Sequence, residues 1–291
     1  MQPSASDRVR TPTLVRLLRP MQWVKNGFVV APLIFSRTFL HPDEVIRAVL
    51  AALIFCIASS AGYVINDIVD REQDRAHPTK RFRRPIASGE ISVRAAAIIA
   101  ALLVPLALIA AFALSLKFAG AVALYLALTT AYSIRLKNAP IIDLFTIAIG
   151  FVLRVWGGAI AVGVVLSVWM FITTLSLALY LAATKRRHEL AHVTGVDARA
   201  VLQHYTIGLL DYYSETAVVS TFVFYGLYIA TVRPQLALTV PIVLFGVFRY
   251  RYLVELSADE SPTDRLLRDP QIIIAALVWA IVSVLVVYWT R

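Results

Sequence analysis

Residues 45–65, VIRAVLAALIFCIASSAGYVI, form an apolar run whose only charge is Arg47. About twenty such residues cross the hydrocarbon core of a bilayer as a helix. The chain repeats the pattern, with apolar segments near residues 24–40, 45–65, 93–115, 118–134, 140–162, 165–184, 212–232, 236–254 and 271–289. This spacing predicts an all-α polytopic membrane protein of about nine transmembrane helices, forming a single domain over residues 1–291 with residues 1–19 as a polar N-terminal segment. A transmembrane β-barrel is excluded because the runs are continuous rather than alternating. The first segment is short and interrupted by Pro32.

Charge sets the expected orientation. Of 28 Lys and Arg, 22 fall on the N-terminus and on alternate connections, five (Arg37, Arg47, Lys117, Arg233 and Arg291) on the opposite side, and only Arg154 near the middle of a span. The positive-inside rule then puts the N-terminus and the charged loops in the cytoplasm and the C-terminus outside. The net charge of +10 is confined to these loops, so it argues for a membrane surface and not for nucleic acid. Cys56 is the single cysteine, which excludes an intrachain disulfide and a cysteine-based metal site. No cleaved signal peptide is expected, and the first span itself targets the chain to the plasma membrane.

The run at 45–65 ends in Asn66-Asp67-Ile68-Val69-Asp70-Arg71-Glu72-Gln73-Asp74. If the helix continues, Asp67, Asp70 and Asp74 share one face. Three carboxylates at a helix C-terminus repel each other and the dipole, and a hard divalent cation relieves both. Mg²⁺ is usually shared between one or two carboxylates and substrate phosphates, so the cluster reads as a Mg²⁺–diphosphate site at a membrane surface. An ordered loop follows, His77-Pro78-Thr79-Lys80-Arg81-Phe82-Arg83-Arg84-Pro85-Ile86-Ala87-Ser88-Gly89, whose arginine forks suit phosphate oxygens or anionic lipid. Lys25 opens the first span, and Lys185-Arg186-Arg187-His188-Glu189 closes the sixth. Asp143 and Arg154 lie on one face of the fifth span, about 16 Å apart and too far to pair. Asp143 is placed to join the acidic site. Arg154 marks a pathway or forms an ion pair with a carboxylate such as Glu215. The neighbouring Gly157-Gly158 pair permits close helix packing.

Asn-Asp-x-x-Asp-x-x-x-Asp at 66–74, after the second of about nine spans, resembles the first acidic motif of the UbiA superfamily of intramembrane prenyltransferases. The framework is similar from about Leu14 onward. Members of that superfamily usually carry a second Asp-rich motif after the sixth span, where this chain has Lys185 to Glu189. Gln22-Trp23-Val24-Lys25-Asn26, Asn66 to Asp74, His77 to Arg81, Arg84-Pro85-Ile86-Ala87, and Lys185-Arg186 with Glu189 resemble the branch that transfers 5-phosphoribose from 5-phosphoribosyl 1-diphosphate (PRPP) to a polyprenyl (decaprenyl) phosphate.

The resemblance implies a single catalytic domain with a cytoplasmic active site, releasing diphosphate in the synthesis of cell-wall arabinan precursors. It implies Mg²⁺ on Asp67, Asp70 and Asp74, oriented by Asn66. Lys80, Arg81 and Arg84 would grip the diphosphate or the 5-phosphate, and Lys25, Lys185 and Arg186, with Glu189, the facing side. A polyprenyl phosphate has a second pKa near 6, so it is already largely dianionic and needs no general base. Its partners would be PRPP, the polyprenyl phosphate and membrane lipids, and a homo-oligomer is compatible with all of this. Two other readings remain at this point. One is a prenyltransferase joining a polyprenyl diphosphate to an aromatic acceptor in quinone synthesis. The other is an anion transporter, against which stands the absence of an internal repeat.

Overall fold

The computed structural model describes residues 12–77, 80–192, 200–256 and 268–290, with Lys80 described by its backbone alone. Arg8, Arg10, Pro78, Thr79, Arg199, Arg265 and the side chain of Lys80 therefore lie outside the described residues. Regular structure among the described residues is entirely helical. It begins with α1 (Thr13–Leu18), a 3-10 helix over Pro20–Val30, and α2 (Ala31–Ser36). The chain continues through α3 (Pro42–Val69), α4 (Arg71–Ala76), α5 (Lys80–Arg83), α6 (Val93–Leu114), α7 (Leu116–Ile134) and α8 (Ile142–Ala161). It finishes with α9 (Val168–His192), α10 (Ile207–Val232), α11 (Val240–Glu255) and α12 (Pro270–Trp289).

Local chemistry accounts for the ends. Pro42 opens α3, with Asp43 and Glu44 in its first turn, where acids complement the helix dipole. Ser92, Ser115, Thr206 and Asp269 each accept a backbone N–H three residues on, capping α6, α7, α10 and α12. Two expectations need correction here. The basic stretch after His77 is not all loop, because Lys80–Arg83 forms a short helix before the turn at Pro85.

The other correction concerns the continuity of the first span. Among the described residues eight segments are long and apolar enough to cross a membrane, seven of them helices α3 and α6–α10 with α12, and the eighth Pro234–Glu255. The first expected span is no continuous α-helix. Pro20 starts a 3-10 helix, Pro32 lies in the first turn of α2, and Arg37 stops it in the left-handed region at φ 65°. At about 2.0 Å per residue for 3-10 and 1.5 Å for α geometry, Pro20 to Ser36 still reaches about 31 Å, the thickness of a bilayer core. Its ends lie at opposite poles of the bundle. Arg19 pairs with Asp67 at the C-terminal end of α3, whereas Arg37 Nη2 donates to the Tyr288 carbonyl, 2.9 Å away, in the last turn of α12.

Helix α8 is the axis. It packs between α7 and α9 and also touches α3 and the 3-10 helix. Two glycines allow this: a Cβ on Gly158 would lie 1.9 Å from the Val29 carbonyl oxygen, and one on Gly157 would lie 2.7 Å from the Phe55 ring. The largest apolar cluster, including Val29, Phe55, Phe118, Val122, Tyr125 and Leu153, fills the space around these contacts.

Candidate active site

Helix α3 ends at Val69 and α4 restarts at Arg71; Asp70 N–H donates to the Asn66 carbonyl at 2.9 Å and Asp74 N–H to the Asp70 carbonyl at 2.8 Å, so Asp70 closes one helix and opens the next. Asp67 and Asp74 are buried and Asp70 is half-buried. Cations surround them. Arg19 pairs with Asp67 Oδ1, Arg84 Nη1 lies 3.4 Å from the same oxygen, and Lys137 pairs with Asp70 Oδ1. Asn66 Nδ2 donates to Asp70 Oδ2 at 3.0 Å, orienting that carboxylate as expected of this asparagine. Asp67 Oδ2 is buried and has no hydrogen-bond partner among the described residues.

Arg19 and Lys137 escaped the sequence reading. Arg19 is the last cation before the first crossing and sits at φ 53°, a backbone pose that turns the chain into the 3-10 helix beneath it. Lys137 lies in the short α7–α8 connection, and its side chain is mostly buried against Asp70. The signal available was position: both fall on the cation-rich side of the chain, one at a span end and one in a tight turn.

A second acid–arginine cluster lies across the α7–α8 turn. Arg186 Nε donates to Asp143 Oδ2 at 2.8 Å, Nη1 to Glu189 Oε2 at 2.8 Å and Nη2 to the Tyr132 hydroxyl at 2.9 Å. The Tyr205 hydroxyl donates to Asp143 Oδ1 at 2.7 Å and accepts from the Ile141 N–H at 2.6 Å. Burial, reinforced by the hydrogen bond to Asp143, pushes the Tyr205 phenol above the ordinary tyrosine value. Ile141 is a β-branched residue at φ 67°, an unfavourable pose that this network holds at the start of α8. Asp143 thus belongs to this cluster and not to the group around Asp67. Lys185 is half-buried with Nζ 4.0 Å from Glu189 Oε1.

Arg154 is buried in mid-bundle, and the structure replaces its expected ionic partner. Nε donates to Asn26 Oδ1 at 2.8 Å, Nη1 to the Gly150 carbonyl at 3.0 Å and Nη2 to the Tyr125 hydroxyl at 2.7 Å, with the rings of Tyr125 and Phe151 about the guanidinium. Glu215 is not among these partners. Asn26 Nδ2 in turn donates to Ser59 Oγ at 3.2 Å and approaches Cys56 Sγ at 3.3 Å. Neutral dipoles and aromatic faces here do the solvating that a carboxylate would do. Lys25, half-buried, precedes Asn26 on the same 3-10 helix. Arg81 is exposed, with its guanidinium 4.4 Å from the Phe82 ring.

No three His, Cys, Asp or Glu side chains among the described residues form a ready-made metal cage. Mg²⁺ does not require one, since it completes its shell with water and phosphate oxygens. The donor set fits such a hard cation: carboxylate oxygens alone, one of them the buried, unpartnered Oδ2 of Asp67. The arrangement can therefore hold a polyanion by cations on one side and a carboxylate-bound metal on the other.

Residues 29–268 match the model of the UbiA prenyltransferase family. The chain is 32% identical to the decaprenyl-phosphate phosphoribosyltransferase of Corynebacterium glutamicum, over 94% of this chain and 86% of that protein. It is 33% identical to the enzyme of the same name from Mycolicibacterium smegmatis, over 91% of this chain and 89% of that one. Its fold is that of a UbiA homolog from Archaeoglobus fulgidus solved with GPP and Mg²⁺, with TM-score 0.72 and 21% identity, covering 95% of this chain and 99% of the other. The chain belongs to the UbiA prenyltransferase family and is a multi-pass membrane transferase.

Proposed function

We propose that this enzyme transfers 5-phosphoribose from PRPP to a polyprenyl phosphate such as decaprenyl phosphate, releasing diphosphate, as a step towards cell-wall arabinan precursors. The observation that carries the reading is the second cluster: Asp143 and Glu189 both hold Arg186, so these two carboxylates are engaged by a built-in cation instead of being open to a second metal. A donor that needs only one metal-held diphosphate, beside further phosphates held by cations, suits such a site. The nearly end-to-end likeness to relatives named for this transfer supports the same reading.

Asp67, Asp70 and Asp74 would hold Mg²⁺ with the donor's diphosphate. When bound, Mg²⁺ supplies Lewis-acid stabilisation of the departing diphosphate. Arg19, Arg84 and Lys137 now neutralise the carboxylates, and they are placed to turn to phosphate oxygens as substrate enters. Lys80, Lys25 and Lys185 would supply further charge to the phosphates, and Arg186, held by Asp143 and Glu189, ties α9 to α8. A phosphate oxygen of the lipid attacks C1 of the ribose as the bond from C1 to the diphosphate oxygen breaks, the electron pair leaving with diphosphate. The pole bearing Asp67 faces the cytoplasm of a bacterial cell, and the C-terminus lies outside.

Purified enzyme in detergent is the test. With Mg²⁺ it should convert PRPP and a long polyprenyl phosphate into polyprenyl-phosphoryl-5-phosphoribose, and EDTA should stop it. Prenylated 4-hydroxybenzoate formed from a prenyl diphosphate, with PRPP untouched, would replace this reading with its rival. Orientation is tested separately. In a Cys56→Ser background, cysteine at the exposed position Ser88 should be shielded from an impermeant thiol reagent in intact cells, and cysteine at exposed Gln235 should be labelled.

A further inference from the structure

The short helix α5 divides its basic residues between two directions. Arg84, just past its end, turns inward to Asp67. Arg81 and Arg83 are exposed, and Phe82 between them is 63% exposed, with the Arg81 guanidinium 4.4 Å from its ring. The nearby exposed carboxylates are engaged elsewhere: Glu72 with Arg71, and Glu90 with Arg16. The corner thus shows net positive charge around an aromatic ring. It stands between the ends of α3 and α6, two membrane-crossing segments, which keeps it near the bilayer surface.

A phenylalanine left in water is unfavourable, but at the headgroup level its ring enters apolar surroundings while flanking guanidinium groups meet phosphates. We propose that Arg81-Phe82-Arg83 docks onto the anionic headgroups of the surrounding bilayer, with Phe82 in the interface and the two arginines on lipid phosphates. The corner then ties the segment carrying Arg84 to the membrane surface, whichever group the enzyme transfers. Each arginine near an anionic surface should strengthen docking about fivefold.

The test uses the full chain with Cys56→Ser and Phe82→Cys, labelled with an environment-sensitive NBD fluorophore and placed in nanodiscs. In discs rich in phosphatidylglycerol, emission should be blue-shifted and quenched by a trace of headgroup-proximal doxyl lipid. In pure phosphatidylcholine discs it should be nearer the aqueous value. Arg81→Gln with Arg83→Gln should return the anionic-disc signal to the aqueous value, and Arg81→Lys with Arg83→Lys should retain the shift. Aqueous emission in both discs, equal quenching in both, or an unchanged signal in the double glutamine variant would each overturn the proposal.

Discussion

The two acid–arginine clusters flanking the α7–α8 turn use the same chemistry to opposite ends. Around Asp143 both partners are sealed: the side chain of Arg186 is 2% exposed and that of Asp143 is 0%, and every guanidinium nitrogen has an acceptor. Around Asp67 only the acid is sealed. Its cations, Arg19 at 16% and Arg84 at 28%, reach in from the water side, and one carboxylate oxygen is left without a partner among the described residues. A charge pair buried on both sides has satisfied its electrostatic demand and acts as a strut. A buried acid met by partly exposed cations, with one oxygen left unpartnered among the described residues, retains a demand that a metal–phosphate complex can meet.

This contrast breaks first at Asp67. Asp67→Asn removes the charge without removing volume, so turnover should fall at least about a thousandfold while the purified protein keeps its thermal midpoint. Near-normal activity at ordinary Mg²⁺ would show that the open cluster is not the metal site. Arg186→Ala should do the reverse. Leaving Asp143 buried and unpaired should cost about 3 kcal/mol of stability, read as a lowered midpoint in detergent. A variant that keeps its midpoint but loses substrate binding would return Arg186 to a direct phosphate-binding role.

A smaller effect should sharpen the assignment of the cations paired with Asp67 and Asp70. Arg19→Gln and Lys137→Gln should each raise the KM for the diphosphate donor about tenfold, or about 1.4 kcal/mol, with little change in stability. An effect on stability alone would place both residues with the strut. The smallest effect lies at the rim. The Arg16 guanidinium, with Thr13 and Ser88, holds the Glu90 carboxyl below the usual carboxylate range. A depressed folded pKa contributes stability above the unfolded value and loses it as pH falls through the folded one. Glu90→Gln should therefore lower the midpoint slightly at pH 7, and the difference from the parent should begin to shrink as pH falls below about 4 and vanish once pH is below the depressed folded value.

Much of the bundle was legible from apolar length, and the site's first half from spacing. The run at 45–65 and its acids forecast α3 and an acidic group at its end, although the helix breaks at Asp70 instead of continuing to Asp74. Pro32 flagged the weak point of the first crossing, but only packing showed how it is resolved: a 3-10 helix can lie against α8 where Gly158 has no side chain to keep Val29 away. Arg154 was legible as costly, yet its partners come from Asn26 and Tyr125, residues 128 and 29 positions away.

By itself the sequence determined what short-range rules govern: helices from apolar length, caps from Ser, Thr and Asp, the cation-rich side from charge count, and an acidic cluster from helical period. The tertiary structure decided which charges meet. Arg186 looks like any cation at a span end, and only the approach of α8 to α9 gives it Asp143 and makes it a strut. Arg19 and Lys137 look like orientation signals, and only the convergence of α1 and the α7–α8 turn on α3 brings them to the carboxylates. Coulomb attraction acts over a few ångströms in low dielectric, so it is settled by distances in space that separation along the chain does not encode.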